Sequence, residues 1–291
     1  MSEAGEPGRG GEAAGRRWAE RVAVALGFLT VLPGPSPAEG GLVASLPAFP
    51  LAGVVAGLLA GGLGWAGSLA WGAWAGAVLA VAGEAALTRG LHWDGLMDTA
   101  DALAVRGVAG RERALEVMRD PRTGALGALA GTLALLLESA FLERLYRAAG
   151  ALGLAALALS AATGRWALVR AVTGFAYARP EGLGRAFRGA GRREMAQASA
   201  LLAALGLGLA AAVALGAAVR SLAGGGPAEA VWPAVLAALG RFLGGWAAGA
   251  AVAEGVARRL ARAFGGLTGD VYGAVAVLSE IGALAAWALG L

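Results

Sequence analysis

Long apolar runs alternate along the chain with short segments that hold nearly all of its charge. A bilayer's hydrocarbon core, about 30 Å thick, is crossed by about 20 mainly apolar residues in a helix. Seven stretches meet that demand, roughly 48–66, 68–88, 124–142, 149–169, 196–219, 231–256 and 271–290. None alternates polar and apolar residues as a barrel strand does, and backbone groups in lipid must be bonded internally, so the runs read as helices. The expected fold class is all-α, a polytopic membrane bundle of about seven transmembrane helices. Residues 22–32 are also apolar but run into Pro33, Pro35 and Pro37 without a cleavage motif. They read as an interfacial or half-inserted helix, not a removed signal. Residues 1–20 are polar and Gly-rich, which predicts a flexible extension, with residues 21–291 forming one membrane-embedded domain.

Composition strengthens this picture. The 291 residues are 58% hydrophobic and 15% charged, against about 25% charged in soluble domains. The 50 glycines are dispersed among Ala, Leu and Val, as in closely packed membrane helices, and hydrophobicity this high excludes a disordered chain. With no cysteine there is neither a disulfide framework nor a thiolate metal site. All 24 basic residues are arginine, and the net charge is +4. In a soluble chain that balance would suit nucleic acid. Here the positive-inside rule accounts for it, and no nucleic-acid partner is expected. Seven spans with the N-terminus inside put 20 of the 24 arginines on one side, in the N-terminal segment and after spans two, four and six. That predicts a lipid-embedded protein with its polar chemistry facing the cytoplasm.

The richest segment is GLHWDGLMDTAD, residues 90–101. Asp94, Asp98 and Asp101 stand at i, i+4 and i+7, within about 60° of arc on one helical stripe. Such a stripe is either a solvated acidic face or an oxygen-only site for Mg²⁺ or Mn²⁺; since Asp is a poor helix former, the metal reading is preferred. His92, the single histidine, is either a structural hydrogen-bonding group or one that ligates, orients a carboxylate or shuttles a proton. Arg119, Asp120 and Arg122 lie just before span three, where guanidinium forks and a helix start would attract phosphate. The segment GGLTGDVYG at 265–273 puts Gly266, Thr268, Gly269 and Asp270 at a helix start, either to approach a phosphate, to add a metal ligand, or as a plain N-cap. Glu84, Glu138, Arg241 and Glu280 fall inside apolar runs, where ionisable groups pair or mark function. Glu280 is a candidate support for the site, and Glu84 or Glu138 a candidate partner for Arg241.

These motifs together resemble the cobalamin synthase family, the adenosylcobinamide-GDP ribazoletransferases. The resemblance begins at FLTVLP (28–33) and FPLAG (49–53) and extends to the end of the chain. It is carried most specifically by residues 90–103, MRDPRTGALG (118–127), GRW (164–166) and residues 265–273, in order. Arg119 stands where the family usually has Lys, Pro121 where it has Ser, and Ala102 and Leu103 where a Gly often follows the third Asp. The resemblance implies attack by a ribose hydroxyl of α-ribazole, or of its 5′-phosphate, on the cobinamide-side phosphorus of adenosylcobinamide-GDP, with GMP leaving. It implies Mg²⁺ on Asp94, Asp98 and Asp101, with Asp120 and Asp270 as further candidate ligands. Arg119 and Arg122 would take the charge on GMP, with Asp101 or His92 as base. Arg165, Gly266, Thr268 and Gly269 become candidates for gripping the substrate phosphates. Trp93, Trp166 and Tyr177 are candidates either for packing on the corrinoid or, the commoner case, for an interfacial aromatic belt. Rival classes are a CDP-alcohol-type phosphotransferase acting on lipid, an ion-coupled transporter and a non-catalytic assembly subunit. The acids cluster at span ends and no internal repeat is evident, which disfavours a transporter. The sequence leaves a homo-oligomer open.

Overall fold

Each of the seven apolar runs folds as a helix in the computed structural model, which describes residues 9–37, 41–224 and 231–289. In chain order the elements are α1 (Arg9–Leu29), α2 (Gly41–Ser45), α3 (Phe49–Trp71), α4 (Ala73–Leu87), α5 (Leu91–Val117), α6 (Ala125–Ala149), α7 (Leu152–Gly174), α8 (Arg192–Gly224), α9 (Val231–Phe264) and α10 (Gly269–Leu289). Among the described residues the one β-bridge joins Tyr177 to Leu267. Six helical segments are long and apolar enough to cross a bilayer. The seventh, α4, has 15 residues and a length of about 22 Å. Its brevity follows from Gly72, whose φ of 90° ends α3 and starts α4 within one residue.

Helices α7 and α10 are the buried centre, while α3, α6, α8 and α9 turn apolar faces outward. On α6, Leu126, Leu129, Leu133, Leu136 and Leu137 are each about half exposed, a face that suits acyl chains and not water. Hydrocarbon outside a bundle removes the usual hydrophobic drive for helix association, so close van der Waals fit must hold the helices together. The α3–α7 seam shows how. Gly53, Gly57 and Gly61 lie one turn apart, and a Cβ on each would meet the backbone of Ala161, Ala158 and Leu154 at 2.6, 2.6 and 3.2 Å respectively.

The N-terminal expectation needs revision. Residues 1–8 lie outside the described residues, but helix begins at Arg9, well inside the stretch expected to be flexible. The reason is amphipathicity: Val24, Ala25 and Leu29 are buried, Trp18, Val22 and Leu26 pack on the same core, and Arg16 and Arg17 stay in solvent. A second difference is the length of α5, which carries the aspartates for 27 residues and breaks at Gly110, where φ is 84°.

The glycine seam predicts opposite signs for two substitutions on one helix. Gly57→Ala places its Cβ 2.6 Å from the Ala158 Cα, whereas the nearest atom for Gly62→Ala is 4.0 Å away. Gly57→Ala should destabilise by about 1–3 kcal/mol, while Gly62→Ala should be neutral or gain up to about 1 kcal/mol from helix propensity. Thermal melting of the detergent-solubilised protein reads both.

Candidate active site

The site is built where α5 and α10 cross at backbone contact. A Cβ on Gly95 would stand 2.4 Å from the Asp270 carbonyl oxygen, and one on Gly273 would stand 3.0 Å from the His92 carbonyl oxygen. These two glycines bring the first turn of α10 against the first turns of α5, and with it Asp270 towards Asp94 and Asp98. The carboxyl of Asp98 is pushed up to about 7, first by burial and then by the charges of Asp94, Asp270 and Asp101, with Arg179 opposing. The cluster therefore crowds carboxylates that repel one another, with Arg179 balancing only part of the charge, and its donors are all oxygen. Among the described residues, only Glu84, Glu138 and Glu280 have ligand oxygens that all lie within 4.8 Å of one another. The aspartates thus offer an open arrangement, which fits Mg²⁺: it keeps several waters and commonly takes one or two carboxylates together with substrate phosphates.

Two aspartates expected as ligands are engaged elsewhere. Asp101 accepts the Gly124 N–H at 2.7 Å on Oδ2 and the Gly127 N–H at 2.8 Å on Oδ1, satisfying orphan donors at the start of α6. Gly124 and Gly127 have no room for a Cβ because that carboxylate lies against them. Asp101 therefore ties α5 to α6, and both its oxygens are already accepting. Asp120 is an exposed-loop partner of Arg122, which donates to it through Nε at 2.9 Å, Nη2 at 2.7 Å and its backbone N–H at 3.0 Å. That contact depresses the Asp120 carboxyl to about 2. Neither Arg119 nor Arg122 lines a described pocket; both side chains are exposed.

The 265–273 segment resolves towards its capping reading. Thr268 is fully buried, and its Oγ1 accepts the Val271 N–H at 3.3 Å at the start of α10. Gly266, at φ 143°, has the Ala176 carbonyl oxygen 2.7 Å from where a Cβ would be. Leu267 donates its N–H to Ala176 O and accepts from the Ala178 N–H, both at 2.8 Å. This pairing carries Arg179 across to Asp270, with which it forms an ion pair at 3.2 Å, and sets the Tyr177 ring, tilted by 31°, beside Tyr272 at a centroid distance of 6.4 Å. Gly269 does line the resulting pocket.

Two cavities meet at Asp94. The larger, about 810 Å³, is walled by Phe28, residues 34–37, Arg89, Trp93 and Met97. The smaller, about 150 Å³, holds Tyr177, Arg179, Asp270 and Tyr272. Arg89 has a φ of 54°, a left-handed conformation costly for a non-glycine residue, and its Nη2 donates to Thr30 O at 3.2 Å. Sequence reading placed Arg89 only among the positive-inside arginines, and Arg179 only within a segment, residues 164–188, grouped with the Arg119 and Arg122 stretch, because neither sits in a periodic pattern with the aspartates.

Beneath the pockets lies a second charged group. Arg165 is 3% exposed and pairs through Nη2 with Glu84 at 2.8 Å and through Nη1 with Glu280 at 2.5 Å, with Glu138 beside them. Arg165 is thus not brought to the phosphate pockets; it pairs with Glu84, for which Arg241 was one expected partner, and with Glu280, expected as a support for the site. His92 is buried, and both its ring nitrogens are out of solvent reach. Burial and the Arg165 charge hold its imidazole well below the ordinary histidine range, so it is neutral where it lines the smaller cavity. Trp166 is also interior, donating its indole N–H to Ser199 Oγ at 2.9 Å and packing edge-on against Trp246; Trp93 remains at the larger cavity.

Comparison with known proteins gives the family. The CobS family model, described as cobalamin-5-phosphate synthase, matches residues 21–288. A protein of Roseiflexus sp. (strain RS-1) named adenosylcobinamide-GDP ribazoletransferase is 36% identical over 91% of this chain and 87% of its own. One of the same name from Pseudomonas putida (strain W619) is 37% identical over 89% and 94%. A third, from Herpetosiphon aurantiacus, is 39% identical over 60% and 69%. No solved structure matches.

Removing one member of the buried ion group should be costlier than removing its charges together. Arg165→Met strands two glutamates in the interior and is expected to destabilise by about 3–5 kcal/mol. Adding Glu84→Gln and Glu280→Gln to it should recover most of that loss. Denaturation midpoints of the single and triple variants check the order.

Proposed function

Because the chain belongs to the cobalamin-5-phosphate synthase family, we propose that it joins adenosylcobinamide-GDP to α-ribazole, or to α-ribazole 5′-phosphate, with release of GMP. The product is adenosylcobalamin or its 5′-phosphate, in the last steps of cobalamin assembly. The observation that carries this reading is the pair of cavities sharing Asp94, one large and one small, at a cluster of carboxylates beside two arginines. A two-substrate transferase acting on a diphosphate requires such a meeting point.

Mg²⁺ is the metal of this reading, with Asp94, Asp98 and Asp270 as its holders. Bound there, it would neutralise charge on the diphosphate oxygens and on the departing phosphate. The chain's own groups do the rest. Arg179 and Arg89 take the phosphate-gripping role first given to Arg119 and Arg122, because they line the cavities and their guanidinium forks suit phosphate oxygens. Arg179 currently shares its donors between Asp270 and the Leu115 carbonyl, so phosphate would compete with partners already at hand. The Asp270 pair also keeps that guanidinium aimed at the acidic cluster. Tyr177 and Tyr272 give the smaller cavity an aromatic wall for a planar base. Trp93 and the 34–37 segment shape the larger one.

The site faces the cytoplasm of a bacterial inner membrane in this reading, with lipid against the α3, α6, α8 and α9 faces. What supports it is the crowding of arginine at the end of the bundle where α4, α7 and α9 finish and α6, α8 and α10 begin.

Two experiments test the reading. Purified protein with Mg²⁺, adenosylcobinamide-GDP and α-ribazole should yield cobalamin and GMP, and EDTA should abolish the yield. Asp98→Asn should lower turnover by at least about 100-fold while the protein stays folded in the membrane. Turnover of a CDP-alcohol pair, with none of the corrinoid, would overturn the assignment. For orientation, the cysteine-free chain allows single-cysteine labelling. In intact cells Arg147→Cys should react with an impermeant maleimide and Arg188→Cys should not.

A further inference from the structure

Phe28, Leu91 and Asp94 are the three residues that line both cavities. The boundary between the two spaces is therefore made of two apolar side chains and a single carboxylate. Phe28 is only half-buried, yet its ring is held from two sides. It stacks on Phe49 at a centroid distance of 6.0 Å and meets the edge of Phe187 at 5.9 Å, and both partners are buried. The backbone that carries it is fixed as well. A Cβ on Gly27 would stand 2.8 Å from the Gly34 Cα, so the end of α1 lies against the 34–37 wall of the larger cavity. The Thr30 carbonyl accepts from Arg89, and the Val31 N–H donates to the Leu87 carbonyl at 2.7 Å. The ring is thus tied to α3 and the 183–187 turn, and its backbone to α4 and the hinge before α5.

We propose that Phe28, together with Leu91, is a specificity-determining residue that bars water from the reacting phosphorus and leaves Asp94 as the polar passage between the cavities. The inference rests on the transfer reaction proposed above. In-line displacement needs the nucleophile opposite the departing GMP. With the corrinoid diphosphate filling the larger cavity, the attacked face is the one turned towards the smaller. A nucleoside hydroxyl reaches it across the junction, and so does water wherever the junction is wide enough. A site that transfers to an alcohol has to keep that water out. Apolar side chains do so because a held water needs about 2–4 polar partners, and Phe28 and Leu91 offer none. Truncating Phe28 leaves a gap beside Asp94, whose carboxylate does offer them. Water held there would bond to the cobinamide-side phosphorus as the bond from that phosphorus to the bridging oxygen breaks. GMP leaves with the electron pair, the proton of the water passes to solvent, and adenosylcobinamide phosphate remains.

The intact protein with Mg²⁺ and adenosylcobinamide-GDP reads this as GMP released without α-ribazole, expressed as a fraction of the cobalamin formed with it. Phe28→Ala should raise that fraction at least about tenfold, with one oxygen from ¹⁸O-labelled water in the adenosylcobinamide phosphate. Leu91→Ala, at a side chain 39% exposed, should raise it in the same sense. Phe28→Leu, which keeps an apolar barrier, should lie nearer the parent. Gly57→Ala loosens the frame along the α3–α7 seam and should leave the fraction unchanged, which separates a barrier from a general loss of packing. An unchanged fraction in Phe28→Ala overturns the proposal. So does a folded Phe28→Ala that makes neither product, label absent from the corrinoid product, or an equal rise in Gly57→Ala. Should Phe28→Ala fail to fold, Leu91→Ala decides. A parent protein that makes cobalamin while these variants stay coupled leaves the proposed transfer standing, and one that makes none overturns both.

Discussion

Backbone contact between α5 and α10 at Gly95 and Gly273 is the constraint from which the site takes its form. Helices that touch without intervening side chains hold their axes closer than larger residues allow, and they bring their first turns into register. Asp270 is carried to Asp94 and Asp98 at the cost of like-charge repulsion, which adds to burial in pushing the Asp98 carboxyl up to about 7. A membrane bundle without hydrophobic drive between its helices tolerates that repulsion only because close packing along other seams holds the frame. The α3–α7 glycine seam is one such seam, and Asp101 capping α6 is another tie.

The single stripe of three aspartates therefore divides its labour. Asp94 faces the two cavities, Asp98 lies within the acidic cluster, and Asp101 turns into the start of α6. The same logic governs the arginines. Arg165 is sequestered by carboxylates in the interior, where a planar guanidinium can serve two of them at once. Arg179 reaches the site because a two-stranded backbone contact, made possible by Gly266, places its loop over α10. Phe187, at the far side of that loop, is held by Phe28 and Phe49 with centroids 5.9 and 6.2 Å away, so the roof over the smaller cavity is fastened to α1 and α3.

The spans were legible in the sequence because lipid imposes a length and an apolar composition that no other environment demands. The acidic stripe was legible because helical periodicity is a local property. What could not be read were pairings across the bundle. Arg165 and Glu280 are separated by 115 residues, and nothing in either run marks one as the partner of the other. Arg241 looked equally available, and Asp101 looked equivalent to Asp98 until α6 was seen to begin beside it. Helix reaching back to Arg9 was hidden for a different reason: the glycine-rich polarity of residues 1–20 masked that Trp18 continues the helical spacing of Val22 and Leu26. The cofactor reading of Gly266 and Thr268 had its alternative in plain view, since a Thr before a helix is most often its cap.

The two cavities differ about fivefold in volume, and the substrates of the proposed reaction differ in the same sense, a corrinoid diphosphate against a single nucleoside. Each cavity carries one arginine, Arg89 in the larger and Arg179 in the smaller, and Asp94 belongs to both. The strained backbone of Arg89 gains its sense from this arrangement. The residue occupies the one-residue hinge between Thr88, bonded back to Glu84 at the end of α4, and Gly90, which opens α5. A relaxed helical or extended conformation there would redirect either the guanidinium or the whole acidic helix. Strain at Arg89 is thus the local cost of joining the short apolar α4 to the long aspartate-bearing α5 while keeping a cation at the mouth of the larger cavity.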